Sequence, residues 1–540
     1  MKKYLFIALA ALGFAACAEK AETNVPANNG EMEQSYIAVT FSADDLGTRA
    51  PGDAYDEGTT DEREVKCAHF FFFDGNDQPF VIDGTNNWLR VGVEDMTDGE
   101  FGADNTGDGK PNVSDVKTIM AIKNYNGEYP SQIVAVLNLA NVGLSYTYTL
   151  DALSKELVNI KGEGDAFVMS NSVYAEESQK LEINATVLTP ANIGKSEQEA
   201  AQNAVTIHVE RLAAKVVVKA AGDGNTVRTG AYEVGEVDGE KVYAEILSWD
   251  FYNEFKDSRL VKDIDTTWTG AYLGFPWNDE AWYRSYWAET PERAFPADNM
   301  VSYNDLKNKL EVVDTIAPYY CGENTLANKA DKTQVVLKAK FVKAGGSNLE
   351  VATWWAHSYL GENNLLTAVA NSLANQIYYM DGSEYKSITA GDLKVVEANE
   401  TNPNTDAEVE AYHVFFQLSA DGEAKDWYLY SAADGFQSKD DNKINVVLGG
   451  VEPALLYKSG RAYYHTNIRH LGANKDNVGY DGVVRNHSYV VNITKIEGFG
   501  TPVYNPDTKF VPETPEDFTT YVAADVRILS WRLVDADYEL

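Results

Sequence analysis

The 540-residue chain predicts a mainly β protein: two β-sandwich-like domains, a few short helices and a separate C-terminal strand. Three observations carry this expectation. Forty Gly and 32 Tyr accompany long Val-, Thr- and Tyr-rich runs, a composition that suits pleated strands and tight turns. Most apolar segments alternate with polar residues at period two, and only a few follow the helical period. Strand follows strand without regular helical crossovers, which points to sandwiches and away from an alternating α/β fold. A chain of this length holds two or three domains, each with room for a sizeable core.

At the amino end, Lys2 and Lys3 precede an apolar run from Tyr4 to Ala16. The run is too short to cross a bilayer as a mature helix, so residues 1–16 read as an export signal. It closes with Phe14-Ala15-Ala16-Cys17, which resembles a bacterial lipoprotein box with Cys17 as the lipidated thiol. The alternative is ordinary secretory cleavage after the small residues. Lipidation implies the outer membrane or cell surface, and no later stretch is apolar enough for a membrane-spanning helix. Cys67 and Cys321 lie far apart in sequence and read as isolated buried thiols rather than a bridge. The net charge of −37, from 45 Lys and Arg against 82 Asp and Glu, argues against nucleic acid and anionic membrane surfaces as partners. It also keeps an exported protein soluble.

After a polar spacer from Ala18 to Gln34, Ile37, Val39 and Phe41 alternate with Ala38, Thr40 and Ser42 and predict a strand. The strand leads into a polar, Gly- and Pro-bearing loop from Asp44 to Gly52, the kind of loop that proteases cut. Arg49, followed by Ala50, is there either a trypsin-like site or a solvated charge. Residues 64–82 predict two strands joined at Asp74-Gly75, and 116–140 predict a hairpin. Short helices are expected at 150–160 and 196–203. Residues 204–220 form a long strand broken at Glu210-Arg211, so the N-terminal domain is 50–209 and the C-terminal domain 210–500. The second domain predicts strands at 242–253, 334–342, 444–448, 461–465 and 488–496. A helix is expected at 363–379, with Leu365, Val369, Leu373 and Ile377 on one face.

Prolines at 502, 506, 512 and 515 make the start of 501–540 an extended tether. Beyond it Val522, Ala524, Val526 and Ile528 alternate with Ala523, Asp525 and Arg527, a half-buried strand pattern. The phase then shifts to Leu529, Trp531 and Leu533, which suggests a bulge. At about 3.3 Å per residue, residues 521–540 reach roughly 65 Å. They either close their own domain or add a strand to another molecule's sheet edge.

Chemistry-bearing motifs are few. Asp104 to Asp115 resembles a calcium loop of the EF-hand or dockerin type, with Asp104, Thr106, Asp108, Lys110 (through its carbonyl) and Asp115 as oxygen donors. A turn-rich connection without metal explains the same residues. Trp268, Tyr272, Phe275, Trp277, Trp282, Tyr283, Tyr286 and Trp287 suit either a sugar-stacking platform or an aromatic insertion packed on its own sandwich. No nucleophile elbow, zinc-binding helix, phosphate loop or Cys/His cluster occurs, so an enzyme is not expected. His465 and His470 lack the spacing of a metal site. Arg485-Asn486-His487 reads as a strand opening that satisfies buried backbone groups.

Several stretches together resemble the fimbrillins of the Bacteroidales, the Mfa-like major fimbrial subunits or type V pilins. They are the lipobox, the strand before Arg49, the terminal strand, His208–Ala220, Tyr320–Thr325 with the strand after it, Arg461–Tyr464 and, most specifically, Gly482–Pro502. The resemblance implies transthyretin-like sandwiches and a polymerising fimbrial subunit exported as a lipoprotein through the periplasm. It further implies that an Arg-specific protease cuts after Arg49 and removes the displaceable strand Ile37/Val39/Phe41 within the propeptide 17–49. The donor strand of another copy (Val522, Ala524, Val526, Ile528, Trp531, Leu533) then fills the groove. Implied partners are copies of the chain, anchor and tip subunits, the protease, and a host or bacterial surface receptor. The alternative is a monomeric surface lipoprotein that binds glycans through 268–287.

Overall fold

The computed structural model describes residues 33–42, 58–92, 117–124, 128–140, 143–172, 174–175, 181–182, 185–222, 230–263, 289–296, 299–306, 317–398, 401–405, 407–408, 412–470, 481–509, 521–529 and 535–536. It is mostly β, as the composition predicts.

The first sandwich opens with β1 (Glu33–Ser42), followed by the one-turn helix α1 (Thr60–Arg63), β2 (Cys67–Phe73), β3 (Trp88–Gly92), β4 (Lys117–Asn124) and β5 (Gln132–Leu137). Helix α2 (Leu150–Lys155), β6 (Met169–Asn171), β7 (Ile193–Gly194), α3 (Glu197–Gln202) and β8 (Val205–Arg211) complete it. The predicted short helices at 150–160 and 196–203 are present in trimmed form, capped by the Thr149 and Ser196 hydroxyls. β8 belongs to both faces: it runs parallel to β1 from Val205 to His208, then antiparallel to β6 from Val209 to Arg211. Ile37 and Val39 of β1 meet Met120, Ile122, Phe70, Phe72, Ile133 and Ile207 in a closed apolar core. Phe71 and Phe73 point the other way, into a second cluster with Tyr148, Leu153, Phe167 and Leu212. A strand buried on both faces explains the unbroken Phe70–Phe73 run.

Two expectations fail here. Residues 116–140 do not form a hairpin: β4 pairs with β1, whereas β5 pairs with β2. Likewise the chain turns at Asp74-Gly75 but returns only as an isolated bridge, Phe73 to Pro79, and the ladder partners of β2 are β3 and β5. The Asp74 carboxylate accepts from the Asn76 and Gln78 amides and holds this turn as a side-chain-capped loop.

His69 faces Arg90 across the β2–β3 ladder, is fully buried, and neither ring nitrogen has a hydrogen-bond partner among the described residues. Burial first, and the Arg90 charge second, push its pKa down to about 4. The ring is neutral in the fold, while in the unfolded chain it titrates near 6.5. Its contribution is therefore present above pH 6.5 and lost as the pH falls toward 4, by about 3 kcal/mol at most. Urea titrations between pH 7 and 4 are expected to show that loss, and His69→Phe to flatten this part of the profile. An unchanged slope in the variant would remove His69 from the account.

The second sandwich contains β9 (Ala213–Lys219), β10 (Ala231–Val237), β11 (Glu240–Tyr252), β12 (Tyr319–Gly322) and β13 (Gln334–Val342). Between β13 and the strands that close this sandwich lies a smaller unit. It comprises β14 (Val351–Trp354), β15 (His357–Leu360), α4 (Gly361–Leu373), β16 (Ile377–Asp381), β17 (Glu384–Ser387), β18 (Leu393–Glu397), β19 (Val414–Leu418), β20 (Trp427–Ser431), β21 (Gly435–Lys439), α5 (Asp441–Gly449) and β22 (Leu455–Tyr457). The chain returns to the sandwich with β23 (Arg461–Asn467), β24 (Ser488–Glu497), β25 (Thr501–Pro502), β26 (Tyr521–Leu529) and β27 (Asp535–Ala536). One sheet has the order β12-β9-β24-β26-β27 and the other β10-β11-β13-β23-β25. Between them lie Val216, Val218, Tyr232, Trp249, Leu337, Phe341, Tyr464, Tyr489 and Val491.

The smaller unit has its own core around Leu365, Val369, Phe416, Trp427, Ile444 and Leu448. Residues 444–448, expected as a strand, are helical. The Asp440 carboxylate caps the Lys443 amide, and Ile444 and Leu448, one helical turn apart, are the buried pair. The helix expected over 363–379 ends at Leu373, and Ile377 begins β16, where it pairs with Leu429. The β-favouring Ile-Tyr-Tyr-Met run finds a strand partner there, which overrides the helical spacing.

Candidate assembly site

The two terminal strands and the seam between the sandwiches make up the site. β1 is paired along both edges. Its residues from Glu33 to Thr40 run antiparallel to β4, while Val39 to Ser42 lie parallel to β8 and Tyr36 and Ile37 meet β7. Ile37 and Val39 are completely buried. The strand thus fills a slot between β4 and the β7/β8 edge, and its covalent link to the body runs only through residues 43–57.

At the other end, β26 lies antiparallel to β24 through nine register pairs, from Glu497–Tyr521 to Ser488–Leu529. β27 returns along β26 over two pairs, Val526–Ala536 and Arg527–Asp535. Val522, Ala524, Val526 and Ile528 therefore all sit in a strand, and within one chain that strand completes its own domain. A bulge lies on the partner strand, between Ile493 and Lys495 opposite Ala523 and Ala524, while the bulge expected from the phase shift toward Trp531 and Leu533 runs outside the described residues. The extra residue, Thr494, is in β24, so the phase of the terminal strand alone could not locate it. Trp531 and Leu533 lie outside the described residues, as do Cys17, Arg49, Ala50, the Asp104–Asp115 loop and the 268–287 aromatics.

The seam between the sandwiches brings together most of the stretches singled out in the sequence. β8 and β9 are separated by Leu212, which is fully buried. β9 pairs in parallel with β24 and antiparallel with β12, so residues 213–219, 319–322 and 488–492 share one sheet region. Ahead of β24, Asn486 adopts a positive φ of 55°, a conformation asparagine tolerates well. Its amide donates to the Ala213 carbonyl (2.7 Å) and its side-chain oxygen accepts from the Arg211 amide (3.3 Å). Arg485, wholly buried, donates through Nε (3.3 Å) and Nη2 (3.2 Å) to Glu323, and through Nη2 to the Arg259 carbonyl (2.7 Å). His487 Nδ1 lies 2.7 Å from the Arg485 carbonyl oxygen. The Arg485-Asn486-His487 motif is thus structural, as its reading as a strand opening implies.

A second polar knot joins α1 to this seam. Glu62, 1% exposed, receives Lys215 Nζ at 2.8 Å and the Tyr320 hydroxyl. Arg211 Nε donates to the Glu62 carbonyl at 2.6 Å. Thr59 and Glu62 form a reciprocal capping box, which fixes the start of α1 just after residues 43–57. The capping box is local, but nothing in the sequence marked the cross-seam partners of Glu62, which are 149 to 258 residues away. The signal was only an acidic residue beside a small capped turn.

Cys67 and Cys321 are free and buried, and burial pushes the Cys321 thiol well above its usual range. Burial also pushes His465 down to about 4, and His470 Nδ1 lies 2.8 Å from the Tyr489 hydroxyl. Among the described residues no group of three or more His, Cys, Asp or Glu could hold a metal ion, and no helix is long and apolar enough to cross a membrane.

A two-sandwich β protein whose terminal strand completes a sheet edge is the class that this geometry defines. Residues 455–537, beginning at β22, match the family model described as major fimbrial subunit protein type IV, fimbrillin, C-terminal. The resemblance to the fimbrillins is thereby met at the carboxyl end. Three similar solved structures illustrate the range of likeness. A putative cell adhesion protein from Parabacteroides distasonis is 13% identical, covering 92% of this chain and 96% of its own, with a TM-score of 0.38. A fimbrilin (fimA) from Porphyromonas gingivalis is 13% identical, covering 94% and 99%, also at 0.38. A C-terminally truncated tip fimbrial protein from Porphyromonas gingivalis is 11% identical, covering 92% and 100%, at 0.28. No curated protein matches the chain. The family match supports a structural subunit of a cell-surface fimbrium.

Proposed function

We propose that this chain is a fimbrial stalk subunit that polymerises by donor-strand exchange after proteolysis at Arg49. The observation that carries the reading is the placement of β1: it is sheathed on both edges in the first sandwich, yet tied to it only by the segment that holds Arg49. In the uncut chain both terminal strands are paired within the molecule, so it is capped at both ends. Cleavage between Arg49 and Ala50 removes the covalent hold on Ile37, Val39 and Phe41. Loss of β1 exposes the edge of β4 and the apolar floor of Ile122, Phe70 and Ile207, which is unfavourable until another strand arrives. A donor seated there gains long neighbours on both sides, whereas on β24 it has one long neighbour and a two-residue return. That difference drives the exchange, and a head-to-tail contact that does not close extends into a filament. The donor positions are Val522, Ala524, Val526, Ile528, Trp531 and Leu533. Residues 1–16 direct export through the periplasm, and Cys17 carries the lipid that holds the precursor at the outer membrane. Anchor and tip subunits and a surface receptor complete the assembly.

The test treats the purified full chain with an Arg-specific protease and follows it by mass spectrometry and size-exclusion chromatography. Cleavage is expected between Arg49 and Ala50, with the strand-bearing peptide released and a ladder of oligomers formed. Arg49→Ala is expected to abolish both. Oligomers of equal size from the uncleaved variant would remove the proteolytic trigger from the scheme.

A further inference from the structure

We infer that the tip of the β14–β15 hairpin is a binding site for neutral glycans. Trp354 pairs with His357, leaving Trp355 and Ala356 as a two-residue turn. Both residues have positive φ, 51° and 59°, the pattern for which Asn-Gly is the unstrained choice. A bulky aromatic side chain is poorly suited to that conformation, and such a backbone outlier points toward function. Trp355 is also 66% exposed, the largest side chain among the exposed apolar residues of the described chain. Packing therefore does not explain its presence at the turn.

Beside the turn lies a concavity of about 350 Å³ lined by Thr353, Trp354, Trp355, Glu452, Pro453 and Leu455. This is at the small end of the range for ligand sites, enough for one or two sugar rings. The Trp354 indole donates to the Glu452 carbonyl at 2.8 Å and pins the far rim of the concavity to the hairpin. The rings of Trp354 and Trp355 meet edge to face, 6.4 Å between centroids. The Glu452 carboxylate has no hydrogen bond or ion pair among the described residues and is exposed on that rim.

A flat indole accepts the C–H face of a pyranose, and a free carboxylate accepts hydrogen bonds from its hydroxyls. The same carboxylate, on a chain of net charge −37, disfavours sialylated and sulfated sugars. The site lies outside the terminal strands and the seam, so it operates on the unassembled chain whether or not the chain polymerises.

The full chain, uncleaved, is to be applied to printed oligosaccharides ending in glucose, galactose, mannose or N-acetylglucosamine, beside their sialylated counterparts. The parent is expected to bind at least one neutral series and to discriminate against its sialylated form. Trp355→Gly is expected to lose at least tenfold in affinity while its Tm stays at or above that of the parent, because glycine relieves the turn. Glu452→Gln is expected to lose severalfold. No binding to any neutral oligosaccharide, preference for the sialylated forms, or undiminished binding by Trp355→Gly would each overturn the inference.

Discussion

A chain lacking residues 521–540 is expected to fold, to be cut at Arg49, and not to assemble. Removing β26 and β27 takes away the strand that would enter a neighbour's slot, so the critical concentration for oligomers rises by at least ~100-fold, about 2.7 kcal/mol per contact. The same deletion leaves β24 as a bare edge over nine positions, although its other side stays paired with β9. A loss of Tm of several degrees is therefore expected alongside the loss of assembly. The two effects separate by adding a synthetic peptide of residues 519–540. On the cleaved truncated chain it is expected to bind at two seats, the vacated slot and the bare edge of β24, without a ladder, and on the cleaved full-length chain to shorten the ladder by capping growing ends. A ladder that survives the deletion would assign assembly to some other part of the chain.

Replacing Arg485 by Ala is expected to cost about 3–5 kcal/mol of stability, the usual penalty for stranding a buried charge. The guanidinium is fully buried, and it is the partner of the Glu323 carboxylate and a donor to the Arg259 carbonyl. Its removal leaves both acceptors in a dry seam. Denaturation of Arg485→Ala, Glu323→Gln and the double variant forms a cycle in which the double variant is less damaged than the sum of the singles. The partners lie close to the crossover between the sandwiches, so the cleaved variant is also expected to oligomerise more slowly. A cost below about 1 kcal/mol would show that water reaches this pair.

Local information sufficed for much of the strand content. β13 was legible to the residue, and β11, β23 and β24 nearly so, because alternation against a single core leaves a period-two record along the chain. The break between β8 and β9 was legible because Glu210-Arg211 interrupts an apolar run, although the observed break is at Leu212. The small unit around Trp427 was not foreseen as a core of its own. Its residues come from helices and short strands spread over 352–456, and no single segment shows the whole apolar surface.

What the sequence by itself determined is the pair of alternating strands near its two ends, one ahead of Arg49 and one after the prolines. Strand pairing was decided only by the tertiary structure. That β4 lies against β1 rather than β5, that β26 rests on β24 in the single chain, and that Glu62 meets Lys215 and Tyr320 are matters of distant contacts. The reason is that a strand's own pattern records which of its faces is buried, whereas its edges carry only backbone groups, identical in every strand, and so name no partner.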